Sequence, residues 1–391
     1  MTAVREVPVA ERRARLGLRH RLAERASSVG EVAGALVALH ATDPATVYLS
    51  AAARLNTPSV PAIEDALYAD RTLMRMLGMR RTMFVVPDDV APLVQAGCTA
   101  AVAVQQRKLA VDLLATASIG DEAWLDELLD AVHRLLLDKG PATATALAKL
   151  EPRLQEKVVL SPGKPYESRA NITSRVLLLL AAEGRIVRGR PQGSWISSQY
   201  KWSAIEEWLP AGMPSLEAAE ARSALARRWL RAFGPGSAED LKWWTGWTMG
   251  DTRKALAAVQ AVEVALPSGP GWLLPDDVEP VAEPAPWAAL LPALDPTPMG
   301  WIQRDWYLGG HAPELFDRTG NIGPSVWWNG RVIGGWAQRP DGEIALRLLE
   351  DPGADAVAMI ETERVRLRSW LADTRITPRF RTPLERELAT P

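Results

Sequence analysis

Apolar positions recur at helical spacing in the first third of the chain, and two short apolar runs of strand length follow them. Helices followed by a basic β-hairpin are typical of a winged helix. The pattern therefore predicts a first winged-helix unit over residues 1–118. Its expected elements are four helices, two strands joined through Gly78, Met79 and Arg80, and a further helix: residues 9–25, 29–39, 44–55, 61–68, 73–77, 81–86 and 89–106.

The same order of elements is predicted twice more. Gly140-Pro141 and Gly234-Pro235 take matching places at the end of a long amphipathic helix, which indicates an internal repeat of roughly 90 residues. The repeat predicts a second winged-helix unit over 119–212 and a third over 213–285. The second has helices over 122–139, 144–150 and 171–183 and a hairpin over 185–195; the third has helices over 216–233, 238–244 and 250–259 and a hairpin over 262–274.

A proline-rich and acidic linker, residues 275–286, separates these units from a C-terminal segment. Asn329-Gly330 is a strong hairpin turn between two of the segment's predicted strands. The predicted fold class is thus mainly α with small β-hairpins (α+β), built from three tandem winged-helix motifs and a β-containing segment over 286–391. The strands of that segment are expected at 290–292, 325–328, 332–336 and 344–346, and a closing helix at 361–371.

Composition excludes several classes of protein. The chain has 47% hydrophobic and 24% charged residues, the balance of an ordinary soluble globular protein. No apolar run is long enough to cross a bilayer and no secretory signal is visible, so we expect a cytoplasmic protein with no membrane partner. One cysteine excludes a disulfide framework, and four scattered histidines predict no metal site. Neither a phosphate-binding loop nor a dinucleotide fingerprint is present, and no cofactor is expected.

Basic residues form local groups although the net charge is only −2. Such groups on a neutral protein are what a groove for an acidic polymer shows, although solvated helix faces would give the same pattern. The corner at Gly78–Arg81 looks suited to clamp phosphates with its arginines and to place Met79 in a groove as an apolar probe. The candidate contact residues lie on or close to the predicted hairpins and the third helix of the second unit: Arg75, Arg80, Arg81, Arg169, Arg175, Arg185, Arg188, Arg190 and Lys201.

The polar turn His40-Ala41-Thr42-Asp43 lies between two apolar helical patterns, and it is the candidate site for chemistry. The simplest interpretation is structural. Asp43 would cap the helix that Pro44 opens, and His40 would end the preceding helix, where the helix dipole favours it. The other interpretation is catalytic, because a turn held between two helices presents its side chains rigidly.

These features together resemble a known family. The three winged-helix patterns, the polar turn, Leu290–Pro296, Arg304 and Asn321–Trp336 are similar to the bacterial winged-helix DNA glycosylases of the AlkZ/YcaQ type. The resemblance covers essentially the whole chain. It implies repair of duplex DNA by excision of bulky or crosslinking N7-alkylated purines, in some members as protection of antibiotic producers from their own genotoxins. It also makes DNA the expected acidic polymer, with a nucleoid-associated monomer as the expected form.

The resemblance places the family's catalytic residues at His40, Ala41 and Thr42. The family pattern there is Gln, apolar, Gln or Gln, apolar, Asp, so this chain departs from it at both polar positions. His40 is expected to act as acceptor or general base and Thr42 to position a water. Asp43, one residue further, is the base if the register is shifted.

Two functions therefore remain open. One is a monofunctional glycosylase, and the other is a non-catalytic winged-helix DNA-binding or regulatory protein in which the turn is only a capped turn. The two differ on whether His40 faces the basic groove or is buried.

Overall fold

Residues 4–118 fold as short helices around a small sheet in the computed structural model, which describes residues 4–160, 163 and 167–390. The described elements are β1 (Arg5–Glu6), α1 (Val9–Arg19), α2 (Val29–Ala35), β2 (Leu39–His40), α3 (Pro44–Arg54), α4 (Val60–Glu64), β3 (Leu73–Leu77), β4 (Met83–Pro87), α5 (Ala91–Val94) and α6 (Ala100–Thr116). The predicted hairpin, β3 with β4, is confirmed. It gains a third strand, because β2 pairs antiparallel with β4 in the order β2-β4-β3.

The helix expected over 29–39 is too long in the prediction. It ends at Ala35, and Val37 takes a left-handed conformation (φ 63°) that a continuing helix does not allow. Leu39 and His40 then pair with Val85 and Phe84. His40 is therefore a strand residue, and the expected contact with a helix dipole is wrong.

The middle of the chain contains the long predicted helix with its bounds unchanged. The elements are α7 (Glu122–Lys139), α8 (Ala144–Leu150), β5 (Lys157–Leu160), β6 (Ser168–Asn171), α9 (Thr173–Ala182), β7 (Ile186–Pro191) and β8 (Tyr200–Ala204). Two differences concern hairpins. The β5–β6 hairpin was not predicted, and the second strand of the next hairpin lies at 200–204, beyond the predicted end at Trp195.

The following elements match the expected third set of helices and hairpin: α10 (Ala218–Phe233), α11 (Ala238–Thr245), α12 (Met249–Ala258), β9 (Val262–Leu266) and β10 (Gly269–Leu273). β1, from the start of the chain, joins β9 in parallel, which the sequence did not predict. The division of the chain into three winged-helix units and a C-terminal segment stays a prediction.

The C-terminal segment forms a four-stranded antiparallel sheet in the order β11-β12-β13-β14. Its elements are β11 (Ala288–Leu291), α13 (Asp305–Leu308), α14 (Ala312–Leu315), β12 (Ser325–Trp328), β13 (Arg331–Gln338), β14 (Ile344–Leu348), α15 (Ala354–Leu371) and α16 (Pro383–Leu388). Asn329 and Gly330 form the predicted turn, with φ values of 45° and 79°. The fold is α+β, as expected.

Two apolar cores organise these elements. The larger core joins residues from both ends of the chain, from Leu16 to Leu388, and includes Phe84, Trp229 and Trp327. A separate core lies within residues 110–204 and contains Leu129 and Val176. The sheet β2-β4-β3 has the larger core on the face of Met76 and Phe84, while a third cluster with Leu39 and Val85 covers its other face.

Candidate active site

The turn after β2 is held by the carboxylate of Asp43. Its Oδ1 accepts the backbone N–H of Ala45 at 3.1 Å, so Asp43 caps α3 as predicted. Its Oδ2 accepts the backbone N–H of Arg379 at 2.9 Å. Asp43 is buried, and both of its oxygens serve backbone groups. The carboxylate thus connects the candidate turn to the C-terminal segment.

One face of α3 binds the stretch that follows β11. Thr46 donates to the carbonyl of Ala293 (2.9 Å), and Ser50 donates to Asp295 (2.7 Å). Arg54 forms a two-point ion pair with Asp295 at 2.6 and 2.8 Å, and both side chains are fully buried. These hydrogen bonds fix α3 and the turn at its start against the C-terminal segment.

His40 lies on the larger-core face of the sheet. Its ring packs edge-on against Phe84, with centroids 5.4 Å apart, and only 6% of the residue is exposed. Burial, with the charge of Arg80 second, lowers the pKa of His40 to about 3. Its Nδ1 is buried and has no hydrogen-bond partner among the described residues. The imidazole is therefore neutral at physiological pH and has one unused polar atom.

Thr42 and Asp43 line a cavity of about 580 Å³, called here the Thr42 cavity. Arginines from three separate parts of the chain project into it. Its lining comprises Thr42, Asp43, Pro44, Arg75, Arg188, Ile196, Ser198, Tyr200, Thr377 and Arg379. The cavity brings together two of the three predicted catalytic residues and two of the predicted DNA-binding arginines.

Arg75 and His40 lie on opposite faces of the sheet, because Arg75 alternates with Met74 and Met76 along β3. Arg75 is 4% exposed and donates to the carbonyl of Ala41 at 2.6 Å. This hydrogen bond connects β3 to the backbone of the candidate turn. The sequence suggested that Arg75 contacts DNA at the protein surface. Because Arg75 is buried in the wall of the Thr42 cavity, it can contact only a part of the DNA that enters this cavity.

The corner between β3 and β4 packs differently from the prediction. Met79 is fully buried in the larger core, so an apolar probe at this position is wrong. Arg80 and Arg81 both take left-handed backbone conformations (φ 54° and 59°) and remain exposed. The Arg80 guanidinium lies over the ring of Trp243 at 4.1 Å, which ties the corner to α11.

The other predicted DNA-binding residues are spread over the middle of the chain. Arg185 pairs with Asp130 (2.8 Å) and Arg190 with Glu64 (2.6 Å), so acidic neighbours already balance both charges. Arg169 lies on β6 and not beside the helix as expected, because the unpredicted β5–β6 hairpin occupies that stretch. Arg175 on α9 is half-buried, and Lys201 on β8 is exposed.

Comparison with known proteins decides between the two functions. The model of the family "DNA glycosylase AlkZ-like" matches residues 33–370, which include the turn, the sheet and the C-terminal strands. The chain belongs to this family. Among solved structures it is similar to the Streptomyces sahachiroi DNA glycosylase AlkZ, with 20% sequence identity, a TM-score of 0.73, and coverage of 95% of this chain and 98% of that one. No curated protein matches it.

As an AlkZ-like DNA glycosylase, the protein is a hydrolase acting on DNA. Burial of His40 alone favours the capped-turn alternative. The family assignment, which concerns the whole chain, decides in favour of the glycosylase.

Within the described residues, no cluster of three or more His, Cys, Asp or Glu side chains is arranged to hold a metal ion. Every helix in the described ranges falls short of the length or apolar character that a bilayer span requires.

The sequence missed Arg379, Tyr200 and Ser198, which also line the Thr42 cavity. Tyr200 carries the Arg188 guanidinium on its ring face at 4.1 Å. Arg379 lies 336 positions from Asp43, and no local pattern in the glycosylase sequence links the two.

Proposed function

We propose that this glycosylase excises bulky or crosslinking N7-alkylated purines from duplex DNA and leaves an abasic site. The observation that supports this most is the neutral, buried His40, whose Nδ1 has no partner among the described residues. The family resemblance aligns His40 with a glutamine. An N7-alkylated purine is already cationic, so its departure needs no strong general acid. The protein has to stabilise a cationic sugar and deliver a water to C1′.

His40 acts in this proposal as a hydrogen-bonding group and not as a strong base. A neutral imidazole whose conjugate acid has a pKa of about 3 is a weak base, so it accepts a proton from water only poorly. Glutamine likewise offers hydrogen bonds without titrating. His40 thus replaces the family's glutamine in function, and the expected role as general base gives way to that of an acceptor.

Thr42 positions the water in the proposed reaction. Thr42 lines the open cavity, where a water can enter, and it follows His40 by two residues. Asp43 holds the turn in place, since both carboxylate oxygens already accept backbone N–H groups. Its contribution to excision is therefore through structure.

The proposed enzyme is monofunctional. A lyase step needs an amine that attacks C1′ covalently, and among the described residues the lining of the Thr42 cavity includes no lysine. Cys98, the one thiol, is buried, and burial raises its pKa to about 12. It is protonated and inert at neutral pH.

The test is single-turnover excision from duplexes with one defined N7-alkylguanine adduct, read as strand cleavage at abasic sites. We expect His40→Ala to lose about 10²-fold in rate, the scale of removing one positioned polar group. His40→Gln should keep most of the activity, and Thr42→Ala should lose less than His40→Ala.

Two outcomes would contradict these assignments. Normal excision by His40→Ala together with loss of activity in Asp43→Asn would make Asp43 the base. No excision of any N7-alkylguanine by the folded wild-type protein would remove this lesion class from the proposal.

A further inference from the structure

The Thr42 cavity contains more positive than negative charge. Arg75 comes from β3, Arg188 from β7 and Arg379 from the segment before α16. Among the described residues, none of the three forms an ion pair with an acidic side chain, in contrast to Arg185 and Arg190 on either side of Arg188. The one carboxylate in the lining is Asp43, whose oxygens accept the backbone N–H groups of Ala45 and Arg379.

Two of these guanidiniums are only partly satisfied. The Nε atoms of Arg75 and Arg188 are buried and lack a hydrogen-bond partner in the described structure. Burial lowers the pKa of Arg75, and it lowers the pKa of Arg188 to about 10. Leaving buried charged donors unpaired is costly, so such donors are expected to meet an anion when the protein is at work.

We propose that the Thr42 cavity binds a backbone phosphate of the damaged strand, next to the sugar under attack, and does not receive the damaged base. This rests on the proposed function only in that the ligand is duplex DNA. A cationic N7-alkylated purine would be repelled by three guanidiniums, whereas a phosphodiester offers two anionic oxygens to them. Thr42 lines the same cavity, so the phosphate held there adjoins the sugar that receives the water.

The dimensions and walls of the cavity suit a phosphodiester. Its volume of about 580 Å³ leaves room for the sugars on either side of the phosphate. Arg188 is already oriented, because its guanidinium lies over the ring of Tyr200 at 4.1 Å. The backbone N–H of Arg379 is fixed by Asp43, which positions the start of that side chain.

The experiment couples protein and DNA substitutions. Duplexes carry a tetrahydrofuran abasic-site analogue, so that the identity of the lesion does not matter, and one neutral methylphosphonate at a single linkage near it. Dissociation constants are measured for the wild type and for Arg379→Gln at each linkage. Arg379 is exposed, so its substitution should leave the fold intact, and circular dichroism and thermal unfolding check this.

We expect one or two linkages within two nucleotides of the analogue to weaken wild-type binding by roughly 10-fold, the scale of a charge-assisted hydrogen bond. At those linkages Arg379→Gln should already bind weakly, with little further loss from the methylphosphonate. The slope of log K against log salt should fall by about one in Arg379→Gln. Arg188→Gln should show the same coupling. Arg386→Gln, an exposed arginine on α16 outside the cavity, should leave the methylphosphonate effect intact.

Additive effects at every linkage, for both Arg379→Gln and Arg188→Gln, would overturn the proposal. This result is separable from the excision assay. Coupling without excision of N7-alkylguanine would support the phosphate site and contradict the proposed lesion class. Excision with purely additive binding effects would support the lesion class and contradict the phosphate site.

Discussion

At the scale of single residues, burial makes the titratable side chain of His40 an uncharged group. Its burial against Phe84 and its distance from acidic partners keep the ring uncharged over the pH range in which repair takes place. At the ordinary pKa of 6.5, His40 would become protonated just below neutral pH and could no longer accept a hydrogen bond there. With a pKa of about 3, protonation of His40 should leave excision unaffected from pH 5 to pH 8.

The same burial makes folding depend on pH. Unfolded, His40 takes up a proton as the pH falls below about 6.5, whereas the folded protein does not until about pH 3. The unfolded state binds more protons between these values, so stability decreases on acidification. We expect His40 to account for about 2 kcal/mol of the stability lost between pH 8 and pH 5. Urea unfolding of the wild type and His40→Gln at both pH values measures this difference.

A neighbouring substitution controls for packing. Phe84→Leu disturbs the same contact without removing a titratable group, so it should lower stability equally at both pH values. An unchanged pH dependence in His40→Gln would show that the folded protein takes up the proton as readily as the unfolded chain.

At the scale of elements, α3 is placed by the stretch after β11 and not by its own sequence neighbours. Thr46, Ser50 and Arg54 follow one another at intervals of four, which puts them on one helix face, and all three contact residues 293–295. The Leu290–Pro296 stretch, part of the resemblance to the glycosylase family, thus has a structural task here. It holds the helix that begins at the candidate turn.

Breaking this contact should cost much stability. Asp295→Ala leaves the Arg54 guanidinium buried without its carboxylate, and we expect a loss of about 3–5 kcal/mol in the free energy of unfolding. Arg54→Met combined with Asp295→Leu removes both charges and should recover a large part of that loss. Chemical denaturation of the three proteins tests this. A cost below 1 kcal/mol for Asp295→Ala would mean that solvent reaches the pair.

Elements set by neighbouring residues were predictable. The start of α3 at Asp43-Pro44 and the end of α7 at Gly140 (φ 77°) follow from local capping and backbone preferences, and the structure has both. Strands whose partners are distant were not. β1 pairs with a strand more than 250 positions away, and β2 is two residues long, too short for an alternating pattern to be visible.

The residues of the candidate site also include some that the sequence could predict and some that it could not. Asp43 was recognised as a cap from its position, and the family resemblance supplied His40 and Thr42. Arg379 could not be found, because it reaches the turn only through the fold of the C-terminal segment. The paired state of Arg185 and Arg190 was also hidden, since Asp130 and Glu64 lie far away in sequence.

At the scale of the whole molecule, the apolar cores do not correspond one to one to the four predicted units along the chain. The larger core takes most of its side chains from the first, third and fourth predicted units, such as Leu16, Leu230 and Trp327, and only Val187 and Ile205 from the second. The other core is confined to residues 110–204, within the predicted second unit and the end of α6. A body made from both ends of the chain thus holds the turn, while the second body contributes Arg188 and Tyr200 to the Thr42 cavity.

This arrangement predicts two cooperative units in native-state hydrogen exchange. Leu129→Ala, in the smaller core, should lose about 2–5 kcal/mol and speed exchange in α7, α8 and α9. Exchange in α10 and β13 should stay close to that of the wild type. Leu230→Ala, the matched variant in the larger core, should instead speed exchange in α1, α10 and the C-terminal sheet together, because these share one core. If Leu129→Ala raised exchange in all elements alike, the chain would unfold as one unit, and the division into two cooperative units would be wrong.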